Sequence, residues 1–449
     1  MNGERLSTTK LVLLIFSAAF ILRLMMAFWL PQEVIWPDGK RYERVAINLI
    51  EGQGFGDLVD NRRSVPTQPL LIAAVYGIFG KSYLALRIVS AAIGAASCVL
   101  GSLLARQLFG SLAALFAGAL LVAYPHLVYL SALFEYPQGL GILLMAGFLL
   151  SLLKFRRDER PAMLLLASIS LGALVLTLPT VLLFVPIFAL LVLNRDLKQS
   201  ALRLAIIALG LGLTLGLWTV RNYSEYGRLM IVNAAGGANF WAANNETYAQ
   251  YGKRAVIPAC GPGNESTTYC HEHRAVQAQL RSLRIPRSEK VWEHERMAWK
   301  HGMQFVRESP SRFIRLSVKR FVQLWSPWPD AVHTGTPRGG SARDIISAMV
   351  YVPLALLALA GLVMSAKRHG RQLMPVYLFL IVFVIPLTIF LPTMRYRLPV
   401  DFLLAIFASV PLAHPWQVSM ASHRGVVFKI ASSAFPSRSI SRSIRTRSP

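Results

Sequence analysis

Long apolar runs separated by short polar breaks dominate the chain. A helix needs about 20 apolar residues to cross the hydrocarbon core of a bilayer. Ten segments approach that length: 11–30, 83–105, 111–130, 137–153, 162–178, 180–193, 203–219, 346–365, 374–391 and 399–413. The pattern predicts an all-α polytopic membrane protein with about ten transmembrane helices. Pro179 separates two of the runs at a tight turn. The first run follows Arg5 and Lys10. It is too long for a signal peptide and has no small-x-small cleavage site, so it is expected to remain as the first span.

Composition agrees with this pattern. Hydrophobic residues make up 54% of the 449 positions and charged residues only 15%, which excludes an ordinary soluble domain. The net charge of +25 would point to nucleic acid in a soluble protein. Here the basic residues cluster between apolar runs, as loops on the cytoplasmic side do, and no nucleic-acid partner is expected. Arg106, Lys154 to Arg157, Arg195 to Lys198 and Lys367 to Arg371 fall on one side, with both termini. That side is expected to be cytoplasmic, in a multi-pass protein of the cell (inner or plasma) membrane. Part of the excess charge suits anionic membrane lipids.

With that orientation the chain divides into four regions. Residues 1–219 form an N-terminal membrane region whose first outer loop is 31–82. Residues 220–345 form one larger outer segment, residues 346–413 a C-terminal membrane region, and residues 414–449 a basic cytoplasmic tail without an acidic residue, expected to be disordered. In the first loop, Tyr42, Val45, Ala46, Leu49 and Ile50 recur at helical spacing and predict an amphipathic helix that Gly52 can end. Residues 69–80 are apolar but too short to span, and predict an interfacial or re-entrant helix. In the outer segment, Trp292, Trp299, Phe305, Phe313, Phe321 and Trp325 interleave with Arg and Lys, a pattern suited to helices on a membrane surface. Cys98 lies in an apolar run. Cys260 and Cys270 share one polar loop and are expected to pair as a disulfide in an oxidising compartment, with two free thiols as the alternative.

Several polar residues could carry chemistry. Asp38, just past the first span, is placed to deprotonate a hydroxyl at the water–lipid boundary, or to cap the helix that begins there. Glu135, in a short outer loop, is a second acid, a metal ligand or a charge favoured at a helix N-terminus. Arg23 lies about 18 Å along the first span at about 1.5 Å per residue, where a charge is costly and is usually paired or functional. Arg87, Arg395 and Arg397 fall near the outer face. They match phosphate groups bidentately, or snorkel to headgroups. Arg221-Asn222-Tyr223, Asn239-Phe240-Trp241 and Asn244-Asn245 offer the amides and rings that sugars use, or simply make turns. The chain has no Gly-rich nucleotide loop and no dense His/Cys metal pattern, which argues for a lipid-linked rather than a nucleotide-linked donor.

Taken in order, these elements resemble the GT-C superfamily of polytopic glycosyltransferases. The similarity is strongest to the bacterial branch related to protein O-mannosyltransferases, lipid A aminoarabinose transferase and rhizobial galacturonic-acid transferases. The resemblance spans roughly residues 10–410. It rests on Asp38 with the tract Tyr42 to Gly54, on Arg63-Ser-Val-Pro66-Thr-Gln-Pro69, and on Tyr76 to Gly80. It continues through Ala85-Leu-Arg87, Tyr124-Pro125 with Ser131 and Glu135, the Arg221 to Asn245 elements, and Arg395-Tyr396-Arg397 with Pro399. It implies an inverting membrane glycosyltransferase with a polyprenyl-phosphate sugar as donor and a lipid, glycan or protein as acceptor. Asp38 would be the general base and Glu135 the second acid. Arg395, Arg397 and Arg87 would bind the donor phosphate, and Arg63, Tyr124, Arg221, Asn239, Trp241 and Asn244 the substrates. No metal ligand set is implied, and a divalent metal remains compatible. Relatives commonly carry paired acids in the first loop, whereas Asp38 has no acidic neighbour until Glu43. The rival readings are a flippase of lipid-linked glycans and an O-antigen ligase or polymerase. A flippase would favour repeat symmetry and broken midplane helices, and neither is evident. The early Asp38 loop argues against a ligase.

Overall fold

The computed structural model describes residues 7–434 except 32, 35, 57–60, 63, 252–266, 329–341 and 391–393. Regular structure among the described residues is helical throughout. The N-terminal half comprises α1 (Thr8–Trp29), α2 (Pro37–Ile50), α3 (Thr67–Phe79), α4 (Tyr83–Phe109), α5 (Ser111–Ala123), α6 (Pro125–Ala132), α7 (Gln138–Asp158) and α8 (Pro161–Thr177). A 3₁₀ turn, Pro179–Phe184, leads into α9 (Val185–Val192). Then α10 (Leu197–Leu211) passes through a π-helical stretch, Gly212–Gly216, into α11 (Leu217–Tyr226). The outer segment holds α12 (Gly236–Ala243), α13 (Glu246–Tyr251), α14 (Thr268–Ser282), α15 (Arg287–Glu308) and α16 (Pro310–Leu324). Two long helices close the chain, α17 (Ala342–Ile389) and α18 (Met394–Ala434).

The ten apolar segments all become helices, but not ten full spans. Seven helices among the described residues are long and apolar enough to cross a membrane, or eight if the bent pair α5–α6 is one span. The segments 162–178 and 180–193 correspond to shorter apolar helices, because Pro179 divides them at a 3₁₀ turn. The α5–α6 pair bends by 58° at Tyr124-Pro125. Proline at the first position of α6 cannot continue the hydrogen-bond ladder of α5. In α17 the break falls at His369 (φ −129°), between the spans Asp344–Ala366 and His369–Ile389.

Polar contacts join several of the loops between the apolar helices. Arg106 donates to the Thr8 hydroxyl at 2.6 Å, and the Gln372 amide donates to the Gln107 carbonyl at 3.3 Å. Arg203 pairs with Glu159 at 3.0 Å. At the other end of the bundle the first loop folds as expected. Tyr42, Val45 and Ala46 bury the apolar face of α2, which packs on α3. The end of α2 is a Schellman motif: Gln53 N–H donates to Asn48 O at 2.8 Å and Gly52 N–H to Leu49 O at 3.3 Å. Gly52 adopts φ 77°, a left-handed conformation that glycine takes without strain.

Arg23 is enclosed inside the bundle. Its Nε donates to the Ser131 hydroxyl at 2.8 Å, Nη1 to Ala19 O at 3.3 Å and Nη2 to Leu121 O at 3.2 Å. Room for this comes from Gly94, where an added Cβ would lie 2.8 Å from Arg23 Nε and 2.6 Å from Ser131 Cβ. The guanidinium thus ties α1 to both limbs of the bent pair. Ser131→Ala removes the acceptor of a buried charged donor. The expected cost is about 1–3 kcal/mol, seen as a lower thermal midpoint in detergent. An unchanged midpoint would mean that Arg23 is held by the carbonyls alone.

Candidate functional site

Asp38 lies in the first turn of α2, with Pro37 at the helix start. It does not cap the helix: the cap position is Trp36, and no side chain caps this end. Instead the carboxylate is gripped by two arginines. Arg41, one turn along α2, donates from Nη2 to Oδ1 at 3.0 Å. Arg395, at the start of α18, donates from Nη1 to Oδ2 at 2.6 Å. The Arg395 guanidinium lies between two rings, 4.7 Å from the centroid of Tyr136 and 5.0 Å from that of Tyr396, and its Nη2 donates to the Tyr396 hydroxyl at 3.1 Å. Cation–π contact holds its plane.

Electrostatics follow from this geometry. Burial pushes the Asp38 carboxyl up, but Arg395 and Arg41 outweigh it and hold its pKa below the usual carboxylate range. Burial pushes the neighbouring Tyr42 hydroxyl up to about 12. Burial also raises Tyr136, against the opposing charge of Arg395. Both phenols therefore stay neutral at physiological pH.

Glu135 is fully buried between α6 and α7 and packs beside this cluster. A Cβ added at Gly39, the residue after Asp38, would sit 2.7 Å from Glu135 Cγ. Only glycine allows that approach. The two acids singled out from the sequence, 97 positions apart by their numbering (135 − 38), thus share one corner of the fold.

The remaining expected site residues divide sharply. Arg87 is buried and grips backbone carbonyls where α1 ends, Leu30 O at 2.8 Å and Glu33 O at 3.3 Å. Arg397 is sealed inside. Its Nε lies 3.1 Å from Asp401 Oδ1, its Nη1 donates to Leu324 O at 2.8 Å and Ser326 O at 2.6 Å, and its guanidinium stacks 3.8 Å over Tyr351. Tyr124 is buried and donates to Asp401 at 2.9 Å. These three hold helices together rather than facing an open site.

The outer-segment residues are also structural, with one exception. Trp241 is buried, stacked on His301 with ring centroids 4.8 Å apart, so no sugar reaches its face. Asn244 is buried and bonded to Phe240 O, Ile389 O and Arg320. Arg221 packs over Phe55, Trp218 and Tyr226, joining the first loop to α11. Asn239 is exposed on α12. Arg63 and Cys260 lie outside the described residues, and with Cys260 the expected Cys260–Cys270 disulfide. Among the described residues no group of three or more His, Cys, Asp and Glu could hold a metal ion.

Sequence reasoning missed Arg41, Asp401, Tyr136 and Arg320. Two of these left a signal. Arg41 follows Asp38 at i+3, and Asp401 follows Arg397 at i+4, the spacings at which helical side chains meet. The other two depend on contacts between distant elements.

Residues 64–219 match the family model described as dolichyl-phosphate-mannose-protein mannosyltransferase. The matched stretch contains Arg87, Tyr124 and Glu135 but neither Asp38 nor Arg395. No curated protein matches the chain. Among solved structures, the oligosaccharyltransferase of Archaeoglobus fulgidus in its apo form is 16% identical, with TM-score 0.56 over 94% of this chain and 52% of that one. The same organism's oligosaccharyltransferase AglB, in complex with an inhibitory peptide and a dolichol-phosphate, is 16% identical with TM-score 0.50 over 95% and 52%. ArnT of Cupriavidus metallidurans bound to undecaprenyl phosphate overlays more loosely, at 14% identity and TM-score 0.40 over 90% and 78%. The fold is the one these archaeal oligosaccharyltransferases have. The family match over residues 64–219 is what bears out the resemblance read from the sequence. The chain spans about half the length of the archaeal structures it overlays.

Asp401→Asn leaves Arg397 as a buried charge without its countercharge. Breaking one side of a buried pair costs about 3–5 kcal/mol, so the unfolding midpoint should fall strongly. A double change, Arg397→Met with Asp401→Leu, should recover most of that loss. An equal loss in the double variant would show that the carbonyl contacts of Arg397, not its pairing, stabilise this corner.

Proposed function

We propose that this chain is a membrane glycosyltransferase that moves a sugar from a polyprenyl-phosphate donor to a lipid, glycan or protein acceptor. The reaction takes place at the outer face of the cell (inner) membrane, with both termini cytoplasmic. The observation that carries the reading is the half-buried Asp38 carboxylate held between two guanidiniums, Arg41 and Arg395, beside a second buried acid, Glu135. The matched mannosyltransferase segment and the dolichol-phosphate bound to the archaeal relative support the donor class.

In this reading the acceptor hydroxyl attacks the anomeric carbon from the face opposite the phosphate. Asp38 takes the hydroxyl proton as the new C–O bond forms. The bond between the anomeric carbon and the phosphate oxygen breaks, and its electron pair leaves with polyprenyl phosphate. The configuration inverts. Arg395 stabilises the charge that develops on the departing phosphate. Glu135 sets the position of Asp38 through its packing on Gly39. Arg87 and Arg397 shape the site from behind, by fixing the end of α1 and the start of α18.

Sugar transfer is measurable in proteoliposomes that contain radiolabelled polyprenyl-phosphate sugars and a membrane lipid extract. Asp38→Asn keeps the size of the side chain but cannot take a proton. It should lower transfer by about 100-fold or more, with unfolding behaviour retained. Protonation of Asp38 disables the base, and the two arginines oppose protonation more than burial favours it. The acid limb of kcat/KM should therefore fall below about pH 4, the ordinary aspartate value. Full activity in the asparagine variant would remove Asp38 from the role of base. Flipping of a lipid-linked glycan without a new glycosidic bond would replace the transferase reading with a transporter.

A further inference from the structure

The residue proposed as base and the arginine proposed to hold the phosphate are bonded to each other. Arg395 and Arg41 each donate to a different oxygen of Asp38, at 2.6 and 3.0 Å. A guanidinium meets carboxylate and phosphate with the same fork of N–H groups. The Asp38 carboxylate therefore occupies the position that an incoming phosphate needs.

Exposure separates these two arginines from the others. The side chains of Arg395, Arg41 and Asp38 are 18%, 20% and 27% exposed, whereas that of Arg397 is 1% exposed. A lipid headgroup can reach the first set and not Arg397. Donor capacity also remains: the Nε–H groups of both Arg41 and Arg395 are buried and have no hydrogen-bond partner among the described residues. Buried donors gain from an acceptor, and a phosphate oxygen is one that these two Nε–H groups can take.

We propose that Asp38 is an internal stand-in for the donor phosphate: it holds the Arg41–Arg395 pair until donor binds, and an arriving polyprenyl-phosphate group displaces it and frees its carboxylate to act as base. This rests on the transferase reading. It makes Arg41 a second phosphate ligand and couples donor binding to activation of the base. While the pair is closed, the two arginines lower the proton affinity of Asp38. Once they turn to the phosphate, burial and the new negative charge both raise it. Acceptor deprotonation is then confined to the donor-loaded enzyme.

The carboxylate also competes with the ligand, so removing its charge should strengthen binding. The test uses the full-length chain in nanodiscs of zwitterionic lipid and titrates a polyprenyl monophosphate. Asp38→Asn should tighten binding by about tenfold. Arg41→Gln and Arg395→Gln should each weaken it by about tenfold or more. With both arginines replaced, Asp38→Asn should no longer tighten it, whereas simple charge repulsion would persist. Unfolding midpoints of all variants confirm that they fold. Unchanged or weaker binding in Asp38→Asn, or tightening that survives the loss of both arginines, overturns the exchange while leaving the donor class standing. Wild-type protein that binds no polyprenyl phosphate overturns the donor class and the exchange together. Anionic phospholipid added to the nanodisc should leave the affinity unchanged. Competition at bilayer concentration would assign the pair to headgroups instead, and overturns both.

Discussion

An arginine keeps its charge at any accessible pH, so one buried in the fold must be surrounded by acceptors. This constraint organises the fold. Arg23 reaches Leu121 O in the last turn of α5. Arg87 takes Ala27 O and Leu30 O where α1 ends. Arg320 takes Ala243 O and Ile389 O, the last residues of α12 and α17. Arg397 takes Leu324 O, the last residue of α16. Each guanidinium thus sits at a helix C-terminus, where carbonyls lack intrahelical partners and the helix dipole favours a cation. Two needs are met together: buried charges find acceptors, and helix ends that water cannot reach find donors.

The same contacts explain how distant parts of the chain form one corner. Arg320 and Asn244 bind the end of α17 to the outer segment. Arg397 binds the start of α18 to the end of α16 and, through Asp401, to Tyr124 at the bend. Arg395 is carried by this frame and meets Asp38, 357 positions earlier in the chain. Asp38 is in turn placed by α2, whose buried face rests on α3 and whose Gly39 rests on Glu135. The half-buried carboxylate thus rests on two neighbouring elements as well as on its own short helix.

Much of this was legible before any coordinates. Helix positions followed from apolar runs, and the amphipathic first-loop helix from the spacing of Tyr42, Val45 and Ala46, because both signals are local. Asp38 and Glu135 stood out because each is an acid just beyond the end of an apolar run, in a chain with 22 Asp and Glu against 47 Lys and Arg. The number of full spans was not legible. A proline such as Pro179 or Pro125 ends a helix locally, and whether the chain then turns back or only bends depends on tertiary packing. Nor were the roles of Trp241, Asn244, Arg87 and Arg397, because a residue type suited to binding a ligand is equally suited to binding the protein itself. Only burial separates the two uses. Trp241 and Asn244 look like a sugar site in one dimension and are an interior in three.

Arg395 and Arg397 show this most sharply. They are two residues apart, and at about 100° per residue their side chains leave α18 roughly 200° apart. One therefore faces the first loop and the other the bundle interior. Asp401 lies at i+4 from Arg397, on the same inward face, and neutralises it. Arg395 has no acid at that spacing on its own helix, since position 399 is proline and 398 leucine. Its countercharge has to come from elsewhere, and Asp38 supplies it. An arginine satisfied by its own helix is fixed for good. One that borrows a carboxylate from a separate, half-exposed element is not fixed by its own helix, and the proposed exchange draws on that difference. The difference between the two arginines of this motif is therefore set by where the countercharge is anchored, and not by the arginines themselves.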